Sequence, residues 1–279
     1  MTDTDTREPR RITIIGCGYV GRALGAALAG AGHEVTGTTT TPARVAELQS
    51  ANVTPRILTI DDEAAVDRAI KGAHAAVVTI AAGRGGDYEA TYAQGLRRIV
   101  AACGRFGVRT LIYTSSTRVY AQDDGAWVDE STPVEPVDAQ SNALIRAEQA
   151  VLDGHADVTG TVVRLGGIYG PGRSIAERVR AATGTRRDDG RHFVNLIHRD
   201  DIVAALERLV DHETGGVFNL VDDRPTPRRD LYDAIVSHGG LAPIVWEDRA
   251  GPIRGKRVSN ARIKSELGLV LLHPTLDPA

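Results

Sequence analysis

The chain has 279 residues, 42% of them apolar, with 33 basic against 36 acidic side chains and a formal charge of −3 at pH 7. That length and apolar share suffice for a full buried core, which excludes global disorder, and the interspersed charges create no basic field that would gather nucleic acid. Cys17 and Cys103 lack metal-type spacing, no other metal set is expected, and no apolar run reaches membrane-span length, so the expectation is a soluble, cytoplasmic protein.

The polar stretch Met1 to Arg10 reads as a mobile tail rather than a signal peptide. Beyond it, apolar runs of strand length alternate with amphipathic stretches of helix length. Strands are expected at Arg11 to Ile15, Glu34 to Thr38, Arg56 to Ile60, Ala75 to Ile80, Thr110 to Thr114, Thr161 to Leu165 and Val217 to Val221. Helices are expected at Val20 to Ala29, Ala43 to Ser50, Glu63 to Lys71, Tyr88 to Phe106, Ser141 to Leu152 and Asp201 to Val210. This is the pattern of an α/β fold, a Rossmann-type doubly wound parallel sheet covered on both faces. After Leu165 the rhythm breaks into glycine-, proline- and arginine-rich segments, Gly166 to Arg173 and Thr183 to Arg191, and a second irregular region follows Asp222. The expected organisation is a tail at 1–10, a dinucleotide-binding domain at 11–165 completed by a strand at 217–221, and a small C-terminal substrate-capping annex with closing elements at 166–279.

The buried-strand run Ile12 to Ile15 leads directly into Gly16-Cys17-Gly18-Tyr19-Val20-Gly21 and then a helix. Strand, glycine turn and helix in that order are what a dinucleotide site requires. Gly16 permits the tight turn, Gly18 lets backbone N–H groups approach a pyrophosphate, and Gly21 lets the helix pack closely on the strand. At the end of the second strand the sequence reads Thr38-Thr39-Thr40-Thr41, with Arg44 one turn on, where an NAD site usually carries an acidic residue. Hydroxyls from Thr39 and Thr40 and the Arg44 guanidinium suit a 2′-phosphate, so NADP is the first choice and NAD the second. The competing role for these threonines is to start the next helix as an N-cap.

Several further segments together resemble the extended short-chain dehydrogenase/reductases, the group of NAD-dependent nucleotide-sugar epimerases and dehydratases. They are Ala76 to Ala82, Leu111 to Tyr120, Trp127-Val128-Asp129-Glu130, Arg164 to Gly172, Asn195 to Asp201 and Val217 to Leu220. The resemblance runs in the family's order from about residue 11 to 267. It implies that Ile60, Ala81, Ala82 and Gly167 also line the cofactor site. Two departures stand out. The family's usual G-x-x-G-x-x-G would place its first glycine on Ile15, and its Tyr-x-x-x-Lys pair falls on Gln140 and Leu144 when aligned through Glu148. The chain thus resembles an atypical branch that has lost the active-site tyrosine.

In the family a serine polarises the substrate carbonyl, a tyrosine passes a proton, and a lysine lowers the tyrosine's pKa. The serine's place is Ser116, whereas Gln140 can donate a hydrogen bond but not exchange a proton. Tyr120, with Arg118 nearby in sequence, is the candidate replacement acid, set against a packing role. Arg118, Arg173 and His198 are candidate substrate contacts; Arg178, Arg186, Arg187 and Arg191 read as surface, and His198 also suits a loop-fixing hydrogen bond. Asp129 and Glu130 read as loop-ordering residues. The leading function is an NAD(P)-dependent oxidoreductase acting on a polar carbonyl, alcohol or sugar-like molecule with a non-standard proton donor. The alternatives are a non-catalytic NAD(P) sensor, or an epimerase, dehydratase or lyase type of enzyme without net hydride transfer. Helices Tyr88 to Phe106 and Ser141 to Leu152 offer the surface for a homodimer that the resemblance implies.

Overall fold

A computed structural model describes residues 8–83, 85–248 and 251–276; the greater part of the expected tail and the side chains of Arg186 and Arg187 lie outside the described residues. Seven strands form one sheet in the order Gly216–Leu220, Thr159–Leu165, Thr110–Ser116, Ala75–Val78, Arg11–Ile15, Glu34–Thr39 and Thr54–Ile57. The strand Arg11–Ile15 pairs in parallel with both neighbours, Ile12 standing opposite Val35 on one side and Ala75 on the other. After this strand the chain first builds outward to Thr54–Ile57, then crosses back to Ala75–Val78, so the order reverses next to Arg11–Ile15. In open parallel sheets that reversal is where ligands bind, at the carboxyl ends of the strands. Ile12, Thr13, Ile14 and Ile15 are all buried, which is why the strand reads as a continuous apolar run rather than an alternating one.

The expected elements recur with shifted ends. The third strand occupies Thr54–Ile57 rather than Arg56 to Ile60, because the amide of Asp62 already turns back to the Thr59 carbonyl. Helix 88–106 divides: Glu89–Gln94 is wound as a wider π-helix before the regular Gly95–Phe106, which ends on left-handed Gly107. The region after Asp222, expected to be irregular, contains helices Arg228–His238 and Ala261–Leu267. Their short apolar stripes, Leu231 with Ile235 and Ile263 with Leu267, are interrupted by charges and carry no side-chain cap. Only burial against other elements makes such stripes stable.

The chain divides into two compact units, Met1–Thr114 with Ala143–Val162 and Leu206–Gly216, and Ser115–Asn142 with Val163–Ala205 and Val217–Ala279. Residues 115–142, grouped from the sequence with the dinucleotide-binding segment, therefore belong to the second unit. In the first unit Leu24, Leu28, Ile14 and Val53 fill the space beneath helix Tyr19–Gly30. Arg10, at the end of the expected tail, donates to the Val210 carbonyl at 2.9 Å. In the second unit Tyr169, Ile175, Val179, Leu231 and Ile235 form a separate apolar cluster that joins helices Ile175–Arg180 and Arg228–His238.

Candidate active site

The glycine turn has the geometry of a phosphate cradle. Gly16 sits at φ +96°, a conformation that only glycine adopts without strain, and its amide donates to Thr38 Oγ1 at 2.9 Å. Its carbonyl accepts from Thr79 Oγ1 at 2.7 Å. A β-carbon at Gly21 would collide with that same Thr79 hydroxyl and with the Gly16 carbonyl, so the helix can approach only as glycine. Gly18 is different: a β-carbon there meets nothing within 4 Å. Helix Tyr19–Gly30 begins at Gly18 with no side-chain cap and no acidic residue in its first turn. No side chain therefore competes for the positive end of the helix dipole, which suits a pyrophosphate. The Val20 side chain is buried and that of Tyr19 half-buried.

At the end of strand Glu34–Thr39 the four threonines separate into two pairs. Thr38 and Thr39 are buried, and Thr39 Oγ1 accepts from the Thr41 amide at 3.1 Å. Thr40 and Arg44 are exposed. The N-cap role falls to Thr41 by position, at the start of the short helix Pro42–Arg44, but its side chain makes no capping bond. The loop after strand Ala75–Val78 is held by Tyr92, whose hydroxyl accepts from the Ala82 amide at 3.2 Å, while Ala81 stays exposed. Ile60 packs over Gly95, where a β-carbon would lie 2.9 Å from it. Thr79 and Tyr92 were not singled out from the sequence, and Thr38 was read only as part of the threonine run, because no motif marks a hydroxyl that supports the turn from another segment.

In the second unit Ser116 ends strand Thr110–Ser116 and caps the short helix Thr117–Val119, its Oγ accepting from the Arg118 amide at 3.2 Å. Arg118 forms an ion pair with Asp138, and Asp138 Oδ1 accepts from the Ser141 amide at 2.7 Å at the start of helix Ala139–Leu152. The Ser141 amide, helped by the Arg118 charge, holds the Asp138 carboxyl below its ordinary pKa. Ser116, Arg118 and the segment bearing Gln140 are thus tied together by Asp138. Gln140 is exposed, whereas Leu144 is buried among apolar side chains. Arg118 makes this tie through Nη2, and its side chain remains 47% exposed.

Tyr120 is not placed as a proton donor. It is 1% exposed, and its hydroxyl accepts from Arg164 Nη1 at 2.9 Å while its one proton is shared between Asn219 Oδ1 at 2.8 Å and the Asp129 carbonyl at 2.9 Å. The Arg164 guanidinium also lies 4.8 Å from the ring centroid. Burial raises the phenol's pKa, and the nearby Arg164 charge offsets this only in part. The Val119–Tyr120 pair packs under its loop, and Tyr120 anchors the loop from beneath. Glu130 joins the same support, its Oε1 accepting from the Asn219 amide at 2.7 Å, and Asp129 orders its turn through Ser131 and Thr132. Lys256, one of three lysines in the chain, donates from Nζ to the Tyr120 carbonyl, and burial pushes its pKa down.

The remaining candidates spread over the second unit. Arg173 closes the exposed turn Gly170–Arg173, its amide donating to the Gly170 carbonyl at 2.9 Å. Gly167 lies in the short strand Gly167–Tyr169, paired with Leu196–His198, and donates its amide to the Asn195 carbonyl at 2.7 Å. His198 is buried and its Nδ1 accepts from the Asp200 amide at 3.2 Å, the loop-fixing bond. Arg178 is exposed, and Arg191 is half-buried.

The profile of the NAD dependent epimerase/dehydratase family matches residues 12–220. The chain belongs to this family. Protein YeeZ of Escherichia coli K12 is 30% identical over 277 residues, covering 96% of this chain and 97% of that protein. The 3-diazoavenalumate denitrifying reductase of a Streptomyces species is 30% identical over 241 residues, covering 78% and 77% of the two chains. The solved structure of the Bordetella bronchiseptica enzyme WbmG in complex with NAD shares the fold, with a TM-score of 0.82 at 18% identity over 98% of this chain and 92% of that one. As a member of the family the chain is an NAD-dependent enzyme of the short-chain dehydrogenase/reductase and epimerase type, with a nicotinamide dinucleotide as cofactor. No helix among the described residues is long and apolar enough to cross a membrane.

Proposed function

We propose that this enzyme is a reductase of a polar carbonyl compound that prefers NADP(H), and that Ser116 rather than a tyrosine hands the proton to the substrate oxygen. The observation that carries the reading is the hydrogen bond from the Arg118 amide to Ser116 Oγ. Because the hydroxyl accepts there, its own proton is left to donate. When bound, the dinucleotide supplies the hydride for the carbonyl carbon. Ser116 donates its proton to the developing alkoxide and recovers one from solvent, and Gln140 adds a second, non-titrating hydrogen bond from the exposed start of its helix. Leu144 offers no charge at the place of the family's lysine, so a phenol there would have no partner to lower its pKa.

Thr40 and Arg44, both exposed beyond the second strand, hold the 2′-phosphate, with no carboxylate at that strand's end to repel it. Arg173 meets an anionic group of the substrate from its exposed turn. The test is to titrate the protein with NADPH and NADH and then offer carbonyl compounds and nucleotide sugars while following the loss of reduced-cofactor absorbance. Substrate-dependent oxidation that falls with Ser116→Ala, at unchanged NADPH affinity, supports the proposal. Product formation without net oxidation transfers the site to epimerase or dehydratase chemistry, and oxidation that survives Ser116→Ala removes the serine from the proton path.

A further inference from the structure

Three side chains distant in sequence converge in the second unit. His198 ends the short strand Leu196–His198, Asp200 lies in the first turn of helix Arg199–His212, and His273 follows helix Ala261–Leu267. One nitrogen from each imidazole and one carboxylate oxygen lie within 4.8 Å of one another. The Asp200 amide donates to His198 Nδ1 and occupies that nitrogen's single lone pair, so an ion bound through Nδ1 replaces this bond. Arg199 donates twice to Asp200 Oδ1, at 3.0 and 2.9 Å, whereas Oδ2 takes neither bond and faces His198 Nδ1 at 3.8 Å.

The third ligand is held in place by its backbone. Asp201, fully buried, accepts from the amides of Leu272 and His273 and so fixes the segment that carries the second imidazole. The rings of His198 and His273 stand 3.7 Å apart between centroids with their planes 36° from parallel, and Tyr169 closes the far side of His198 edge-on at 5.1 Å.

We propose that His198, Asp200 and His273 form a binding site for a divalent transition-metal ion of the zinc, cobalt or nickel class, which pins the C-terminal segment to the start of helix Arg199–His212. Two imidazoles and one carboxylate suit such ions better than magnesium or calcium, which take oxygen ligands. Tetrahedral ligand bonds of about 2.1 Å place neighbouring ligand atoms roughly 3.4 Å apart, so the pair at 3.8 Å closes by about 0.4 Å on binding. The remaining coordination positions go to solvent, since Asp200 is only half-buried. The role is structural, because Asp201 already ties the same two strands of chain and the ion adds a second tie beside it.

The test uses the full-length, tag-free protein, stripped with chelator and free of dinucleotide, so that its result does not depend on the proposed reaction. Calorimetric titration with zinc alone, and visible absorption with cobalt alone, are expected to show one saturable site. His273→Ala is expected to weaken zinc binding at least tenfold, and Asp200→Asn similarly, whereas His238→Ala on the exposed end of helix Arg228–His238 keeps wild-type affinity. In the wild type, zinc is also expected to slow hydrogen exchange at the Leu272 and His273 amides at least tenfold. Absence of saturable binding, binding indifferent to His273→Ala and Asp200→Asn in folded variants, or exchange at 272 and 273 unaffected by zinc would each overturn the proposal.

Discussion

The hydroxyl of Thr79 donates to the carbonyl of Gly16 at 2.7 Å and at the same time fills the space that a β-carbon at Gly21 would need. One side chain just past strand Ala75–Val78 thus fixes both the tight turn and the approach of helix Tyr19–Gly30. The two neighbouring glycines then separate folding from binding. Gly21→Ala should destabilise the protein by about 1–3 kcal/mol through overpacking. Gly18→Asp should leave thermal stability near wild type, since its side chain enters open space, while abolishing dinucleotide binding by setting a carboxylate against the pyrophosphate. Thermal melts paired with NADPH titration read the two effects apart, and a Gly18→Asp protein that binds normally would remove the turn from the cofactor site.

Cofactor choice should respond at Thr40 and Arg44 more than at Thr39. Arg44→Ala should weaken NADPH about tenfold, the loss of roughly 1.4 kcal/mol, and leave NADH nearly unchanged. Thr40→Asp should do the same by repulsion. Competitive titration of both cofactors is the measurement; equal weakening of the two would place the 2′-phosphate elsewhere.

Tyr120→Phe should act on stability. It leaves the buried Arg164, Asn219 and the Asp129 carbonyl short of a partner, a cost of about 1–3 kcal/mol. Ser116→Ala, by contrast, should lower kcat by one to two decades, about 1.4–2.7 kcal/mol of barrier, while losing no more stability than the roughly 1 kcal/mol of its cap. If Tyr120→Phe instead loses kcat with its melting temperature intact, the tyrosine takes part in proton transfer after all.

A pH signature belongs to Asp222. Burial pushes its carboxyl up to about 7, the opposing N–H groups of Arg224 and Leu196 offsetting only part, and among the described residues its Oδ1 has no hydrogen-bond partner. The folded state therefore holds this proton more tightly than the unfolded chain. Its contribution to stability is fully present below the ordinary carboxylate range and is lost as pH rises through about 7. Asp222→Asn should flatten this dependence, gaining on wild type at pH 8 relative to pH 4.5 in denaturant melts. A parallel pH profile for both proteins would show that Asp222 ionises freely in the folded state.

Much of the sheet was legible in the sequence because local physics writes it there. A buried parallel strand must be apolar along its length, so Arg11–Ile15, Ala75–Val78 and Thr159–Leu165 stand out, and a glycine turn between strand and helix has few other uses. Ser116 and Gln140 could be located by their spacing to neighbours in the same segments. That Gln140 and Leu144 carry no titrating group is likewise a property of the residues alone. Only the tertiary structure decided how the hydroxyls are spent. Thr39 turns inward to the Thr41 amide, Thr79 reaches back to Gly16, and Tyr120 goes to Arg164 and Asn219, partners supplied by other strands or by a turn that the fold must first form. The meeting of His198 and Asp200 with His273 belongs to the same class. A hydrogen bond or a ligand set is a relation between atoms brought together by packing, and residue order encodes it only through the fold.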